Sequence, residues 1–399
     1  MTAPKNSFEF GLIWLAVVVE SLLLMNYFFW QMGMSFFVRY IPVIIILVVI
    51  GFFIQKKAFL DHLPLIIFFI LIIFISLGSP TNGWDARSMW LFHAKRIFLE
   101  NNFYAQMDDY TPDIHNDYPI FIPALSASLA KLIGHWNEVF PKFANVLAVM
   151  PPFFAFTFFL KNKMQELLFC IFSLFVASIF LINGYMDAIL AIYFVLAFFT
   201  AHTLVVKNME HDSGQRLWLY FLLLLTLTSL TLIKNEGSVL AGLIMLSIFA
   251  KGFFQKTKIS FAMIGIFLVS IIPIAIWKYV CVKNGIVNDL VRADLVGQLM
   301  MRARDIHNYE KIFSSFFMNV EFLVSLALFI FVSRKNQDAN FKPFVVFSVA
   351  LYLGILFMIY MSTPYDLEWH LVNSTNRTIM PVILLLGFYL TYFTNFEAD

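Results

Sequence analysis

About twelve apolar runs, each long enough to cross a lipid bilayer, restrict this chain to an all-α polytopic membrane fold. They fall at roughly 11–32, 40–55, 62–78, 138–160, 164–182, 186–206, 217–233, 236–251, 260–281, 313–333, 343–361 and 378–395. A spanning helix needs about 20 predominantly apolar residues to cover a hydrocarbon core about 30 Å thick. Within that core only helices and closed barrels satisfy their own backbone polar groups. Only 13% of the 399 residues are charged, about half the usual share of a soluble domain, so lipid must cover much of the surface. The first run is too long for a removable signal peptide and lacks a small-residue cleavage site, so it reads as an anchored first helix. A net charge of +2 gives no reason to expect a nucleic-acid partner. Cys170 and Cys281 both lie in apolar segments and provide neither a disulfide framework nor a metal spacing.

Short loops next to spanning helices carry more Lys and Arg on the cytoplasmic side. With a cytoplasmic N-terminus, one side collects Lys56 and Lys57, Lys161 and Lys163, Lys207 and Arg216, Lys251, Lys256 and Lys258, and Arg334, Lys335 and Lys342. The short apolar stretch 118–133, which contains Pro119 and Pro123, would break this agreement if it spanned. It is therefore expected outside, as an interfacial or re-entrant helix. The outer side then holds two long loops, 79–137 and 283–312, and most of the clustered acidic residues: Asp85, Asp108, Asp109, Asp113, Asp117, Asp366 and Glu368. Ordinary connections are shorter than these loops, so they point to a site on the outer face. No repeat or linker divides the chain, which reads as one membrane domain, 1–399.

The first outer loop opens with GWDARSMWLFHAKRIF, residues 83–98. Trp84, Met89, Trp90 and Ile97 can form an apolar face and Arg87, His93, Lys95 and Arg96 a polar one, as in a helix lying on a membrane surface. Asp85 either caps that helix or serves chemistry. The loop ends with DIHNDYPIFIPALS, residues 113–126, where His115, Asp117 and Tyr118 precede an extended step at Pro119. Asp117 can likewise cap the next helix. If Asp85 and Asp117 converge, the pair can deprotonate a hydroxyl and stabilise positive charge at an anomeric carbon.

Asn183 and Asp187 lie in NGYMDAILAIY, and Lys234 and Glu236 in IKNEGSVL, all at the outer membrane boundary. Ionisable groups at that depth are usually paired or functional; the plainer reading of Lys234 and Glu236 is a local ion pair. The segment 362–381 crowds Asp366, Glu368, Trp369, His370, Asn373, Asn376 and Arg377 together. Arg377, with His370, can bind a phosphate, or it can simply snorkel to bulk headgroups. In the second long loop, Arg292, Arg302 and Arg304 either read a phosphate or belong to a surface helix neutralised by Asp289, Asp294, Asp305 and Glu310. The sequons at Asn373 and Asn376 are read as chance matches. Neither a zinc spacing nor a Gly-rich phosphate loop is present, so neither a zinc site nor a nucleotide-sugar donor is expected.

The motifs WDARSMWLFHAK, HNDYPIFIP, GYMDAILAIY, IKNEG and DLEWHLVNSTNRTIMP, in this order, resemble bacterial glycosyltransferases of the GT-C superfamily. The likeness is to the branch of the dolichyl-phosphate-mannose–protein mannosyltransferases and the aminoarabinose transferases, and it runs from about Trp84 to Pro381. The resemblance implies a helical membrane domain with interfacial helices in the first outer loop and a polyprenyl-phosphate sugar as donor. It implies Asp85 as the catalytic acidic residue, acting as base, Asp117 as a second acidic residue, Arg377 with His370 as the donor-phosphate contact, and no need for a metal or other cofactor. Trp84, Arg87, Trp90, Lys95, His115, Tyr118, Asp187, Lys234 and Glu236 complete the expected substrate site. One departure is that the loop follows the third apolar run, where superfamily members often have it after the first.

The expected activity is inverting transfer of a sugar to a lipid, glycan or protein acceptor on the periplasmic or exterior face of a bacterial inner membrane. Two rivals stand beside it. Glu20, a carboxylate midway along the first run, fits a secondary transporter or lipid flippase, or else a hydrogen-bonded packing residue. A structural subunit whose outer loops bind a partner is the other.

Overall fold

The computed structural model describes residues 7–54, 57–103, 115–206, 213–255, 260–286, 288, 294–335 and 341–394. Asp108, Asp109, Asp113, Asp289 and Arg292 of the expected outer site, and Lys56, Lys207, Lys256 and Lys258 of the expected basic loops, lie outside the described residues. Every regular element among the described residues is helical. The first helices are α1 (Ser7–Gln31), α2 (Phe36–Ile54), α3 (Leu63–Gly78), α4 (Leu91–Glu100), α5 (Phe121–Ile133) and α6 (Phe143–Phe159). Then come α7 (Lys163–Ile182), α8 (Asp187–Val206), α9 (Ser213–Ile233), α10 (Asn235–Gln255), α11 (Phe261–Ser270) and α12 (Ile272–Lys283). The last are α13 (Leu295–Ala303), α14 (Ile306–Phe317), α15 (Val320–Lys335), α16 (Phe341–Ser362), α17 (Leu367–Thr378) and α18 (Met380–Phe393).

Among the described residues eight helices are long and apolar enough to cross a membrane, or nine if the bent pair α14 and α15 is one span. This defines the chain as a helical, multi-pass membrane protein. The twelve expected runs are all helical, but α2, α7, α10 and α15 are not among the eight; the apolar part of α2, Val38–Phe53, is too short. Two spans are broken where a proline opens the second half, α11–α12 at Pro273 and α17–α18 at Pro381. A proline has no N–H to donate to the preceding turn.

Helix α8 lies at the centre, with 94% of its spanning window buried, and packs against α6, α7, α9, α10 and α18. The starts of α3 and α7 meet at one end of the bundle, where His62 Nδ1 lies 2.6 Å from Glu166 Oε1 and Lys163 lies 3.5 Å from Asp61. Gln165 donates there to the carbonyls of Tyr392 and Thr394, which brings in the end of α18. Opposite lie the end of α3, the starts of α6 and α8, the α9–α10 junction and α17. The buried Lys142 ammonium donates to the Ser79 carbonyl at 2.5 Å, joining two of these elements.

Three local expectations change. Of the two forms expected for 118–133, the surface helix does not fit: α5 is buried from Phe121 to Ala130, enclosed by α1, α4 and α6. Its Ser128 hydroxyl accepts from both Asn26 and Trp30 of α1, and such a two-sided apolar helix has no face to give to water. The crowded segment 362–381 is largely a helix of its own, α17, because Leu367, Leu371, Ser374 and Thr375 recur on one buried face. Asp366 caps it by accepting from Trp369 N. Arg302 is no surface charge; it is buried and donates to the carbonyls of Tyr360, Thr363 and Tyr365, clasping the turn between α16 and α17.

Candidate functional site

The residues before α4 form a wide π-helical turn, Ala86–Trp90, entered from Asp85. Asp85 makes no side-chain cap bond. Its carboxylate instead accepts from Arg377, 292 residues away in sequence, and the two side chains are only 17% and 19% exposed. The same guanidinium nitrogen lies 3.9 Å from Asp187 Oδ2. Asp187 Oδ1 in turn accepts from Lys234 at 3.0 Å, and Lys234 lies 3.1 Å from Glu236 Oε1. Tyr118 donates its hydroxyl to that Glu236 oxygen at 3.2 Å. One chain of contacts thus joins the first long loop, the start of α8, the α9–α10 junction and α17. Lys234 and Glu236 do form the local pair, but Lys234 also reaches across to α8.

Beside this chain sits Asp117, 2% exposed. It does not cap α5. Its Oδ2 accepts from Asn235 and from Lys278, each at 2.7 Å, and its carbonyl accepts from Trp277 Nε1. Four carboxylates (Asp85, Asp117, Asp187, Glu236) therefore face three cations (Lys234, Lys278, Arg377). Burial works against the Lys234 ammonium, but Asp187 and then Glu236 outweigh it and hold its pKa above the ordinary lysine value. Three rings floor the site. Tyr118 stacks between Trp90, at 5.6 Å, and His115, at 4.9 Å, with the Lys234 ammonium 5.8 Å from its centre.

Several buried acceptors are left over. Asp117 Oδ1, Asp187 Oδ2, Glu236 Oε2 and Asn235 Oδ1 have no hydrogen-bond donor among the described residues. Leaving such atoms unpaired is costly, so each is a ready acceptor for a donor-rich ligand. Among the described residues no three His, Cys, Asp or Glu side chains are arranged to hold a metal ion.

Of the expected site residues, Asp85, Trp90, His115, Asp117, Tyr118, Asp187, Lys234, Glu236 and Arg377 meet here. His370 lies two turns before Arg377 on α17, packed between the rings of Tyr360 and Tyr365. Trp84, 54% exposed, is not drawn in. Arg87 and Lys95 also stay outside, because they fall on the solvent side of an amphipathic segment whose other face, Met89, Trp90 and Ala94, is buried; Lys95 lies 3.8 Å from Glu138 instead.

Sequence reasoning missed Tyr185, Asn235 and Lys278. The Tyr185 ring lies under Arg377 at 5.6 Å, and burial, followed by the adjacent Asp85 carboxylate, pushes its phenol pKa up. Gly83 makes room for it: a Cβ there would sit 2.1 Å from the ring. Gly184, at φ +96°, adopts a backbone conformation that favours glycine and brings the α7–α8 turn against Ala86. A charge inside an apolar run was the available signal for Lys278, the same signal that drew attention to Glu20.

Glu20 itself is 1% exposed on α1 and accepts from Tyr193 of α8 at 2.6 Å and from Ser229 of α9. Comparison with family models, with curated proteins and with solved structures gives no match.

Proposed function

We propose that this protein is a GT-C-like glycosyltransferase with about twelve spans. It moves a sugar from a polyprenyl-phosphate donor to a lipid, glycan or protein acceptor at the non-cytoplasmic face of a bacterial inner membrane. The observation that carries the reading is the direct pairing of Asp85 with Arg377. A carboxylate able to take a proton and a guanidinium able to hold a phosphate lie within the span of one sugar phosphate. The buried acceptor oxygens on Asp117, Asp187 and Glu236 suit sugar hydroxyls, and the Trp90–Tyr118–His115 stack offers an aromatic surface.

In the proposed step the acceptor oxygen attacks the anomeric carbon from the side opposite the phosphate. Asp85 takes the acceptor's proton. The bond from the anomeric carbon to the phosphate oxygen breaks with its electron pair, and Arg377 stabilises the charge on the departing polyprenyl phosphate. Phosphate and Asp85 compete for the same guanidinium, so arrival of the donor phosphate frees Asp85 to act as base. Lys234 holds Asp187 and Glu236 in position.

Transport through Glu20 has less support, since that carboxyl is enclosed and bonded to hydroxyls on two neighbouring helices. The deciding experiment incubates purified protein with radiolabelled polyprenyl-phosphate sugars and a membrane extract. Label should move to an acceptor. If no label moves with any donor, while labelled polyprenyl-phosphate lipid crosses vesicles containing the protein, the flippase reading replaces this one.

A further inference from the structure

Helix α14 divides into three sectors. At about 100° per residue, Tyr309, Ile312 and Phe316 point to one side, and Ile312 and Phe316 are buried against the protein. Ile306, Phe313 and Phe317 form a second sector about 90° further round, and they are 72%, 49% and 46% exposed. His307, Glu310, Lys311 and Ser314 fill a third, exposed and polar. A helix buried on one side, apolar on the next and charged beyond that has the form of an element lying in a membrane interface.

The neighbouring chain fits the same geometry. α14 meets α15 at a 70° bend. The apolar sector runs on across the bend through exposed Met318 and, in α15, exposed Val320 and Val324. Asp305 caps the start of α14 by accepting from His307 N, which fixes where the helix begins. α14 and the bend that follows it are also tied to α17. Ser315 and Thr375 hydroxyls lie 2.6 Å apart, Asn319 donates to Asn376 at 3.0 Å, and Lys311 lies 3.0 Å from Glu368.

We infer that α14 lies flat in the bilayer interface with Ile306, Phe313 and Phe317 among the acyl chains, and that its ties to α17 hold Arg377 at headgroup depth. The partner is the lipid surface itself. The inference needs only a membrane-spanning bundle and does not depend on the transfer reaction.

The test places single nitroxide labels on cysteines at 313, 317, 307 and 314 in nanodiscs of phosphatidylethanolamine and phosphatidylglycerol. The native Cys170 and Cys281 are both buried, so labelling reports the introduced sites. Labels from Phe313→Cys and Phe317→Cys should be several-fold more accessible to oxygen than to a water-soluble nickel complex, and those from His307→Cys and Ser314→Cys the reverse. Nickel access at 313 and 317 overturns the inference. Protection there from both reagents also overturns it, because a protein would then cover the face. For the coupling, a label from Val372→Cys on α17 should change depth when Ser315→Ala and Asn319→Ala are combined, and an unchanged depth removes that half. Phe313→Trp fluorescence, quenched by brominated acyl chains, repeats the reading without a label.

Discussion

Two buried carboxyl clusters in the same bundle are built on opposite terms. Glu20, inside the bundle, is met by the hydroxyls of Tyr193 and Ser229, and Tyr193 also reaches the Ala148 carbonyl at 2.9 Å. Its contacts tie α1 to α8 and α9, and both its oxygens are taken. At the end of the bundle Asp85, Asp187 and Glu236 are met by Arg377 and Lys234, yet Asp187 and Glu236 each keep an oxygen without a donor. The first cluster is closed and reads as packing. The second is open, with opposed charges held in place and acceptors to spare, which is what a ligand site requires. Depth explains the contrast: a hydroxyl costs far less to bury in a span than a second charge, whereas at the membrane boundary charges can be opposed by charges.

The largest expected effect tests the open cluster. Asp85→Asn should lower the proposed sugar transfer by about 10²–10⁴-fold, the usual contribution of a general base, while the detergent-solubilised protein still elutes as a folded species. Near-normal turnover would take the base role from Asp85. Next comes Arg377→Gln. Removing one partner of a buried ion pair costs about 3–5 kcal/mol, and the lower end applies because both side chains keep some exposure. Thermal unfolding should show that loss, and adding Asp85→Asn should recover part of it without restoring transfer. Simple additivity of the two substitutions would mean that the pair is not coupled.

The closed cluster should respond through stability alone. Glu20→Ala leaves Ser229 without its acceptor and Tyr193 with only the Ala148 carbonyl, at about 1–3 kcal/mol, while Glu20→Gln keeps the shape and should melt close to the native protein. Turnover per folded molecule should be unchanged in both; a selective loss of activity in Glu20→Gln would erase the distinction between the clusters. Smallest of all, Lys163→Ala at the opposite end removes an exposed pair with Asp61 and should shift stability by no more than about 0.5 kcal/mol.

Much of the fold was legible because hydropathy is a local property. Each apolar run could be read without its neighbours, and each is helical. What was misread depended on neighbours. Nothing within Phe121–Ile133 says that α1, α4 and α6 enclose it, and nothing near Arg302 announces the three carbonyls it clasps from α16 and beyond. In the site, residue type and boundary position singled out Asp85, Asp187, Lys234, Glu236 and Arg377. The same reasoning enrolled Trp84, Arg87 and Lys95, which it could not tell from their buried neighbours on the same turn. Lys278 was lost inside an apolar run, although it holds Asp117 at 2.7 Å.

The sequence alone determined that this chain must be a bundle of helices in lipid, since apolar length and backbone hydrogen bonding leave no other solution. It also determined that its polar residues gather toward the helix ends. Only the tertiary structure decided which of them meet. Asp85 finds Arg377 across 292 residues because helix packing, not chain proximity, sets those distances, and a short-range ionic contact has no signature in the intervening sequence.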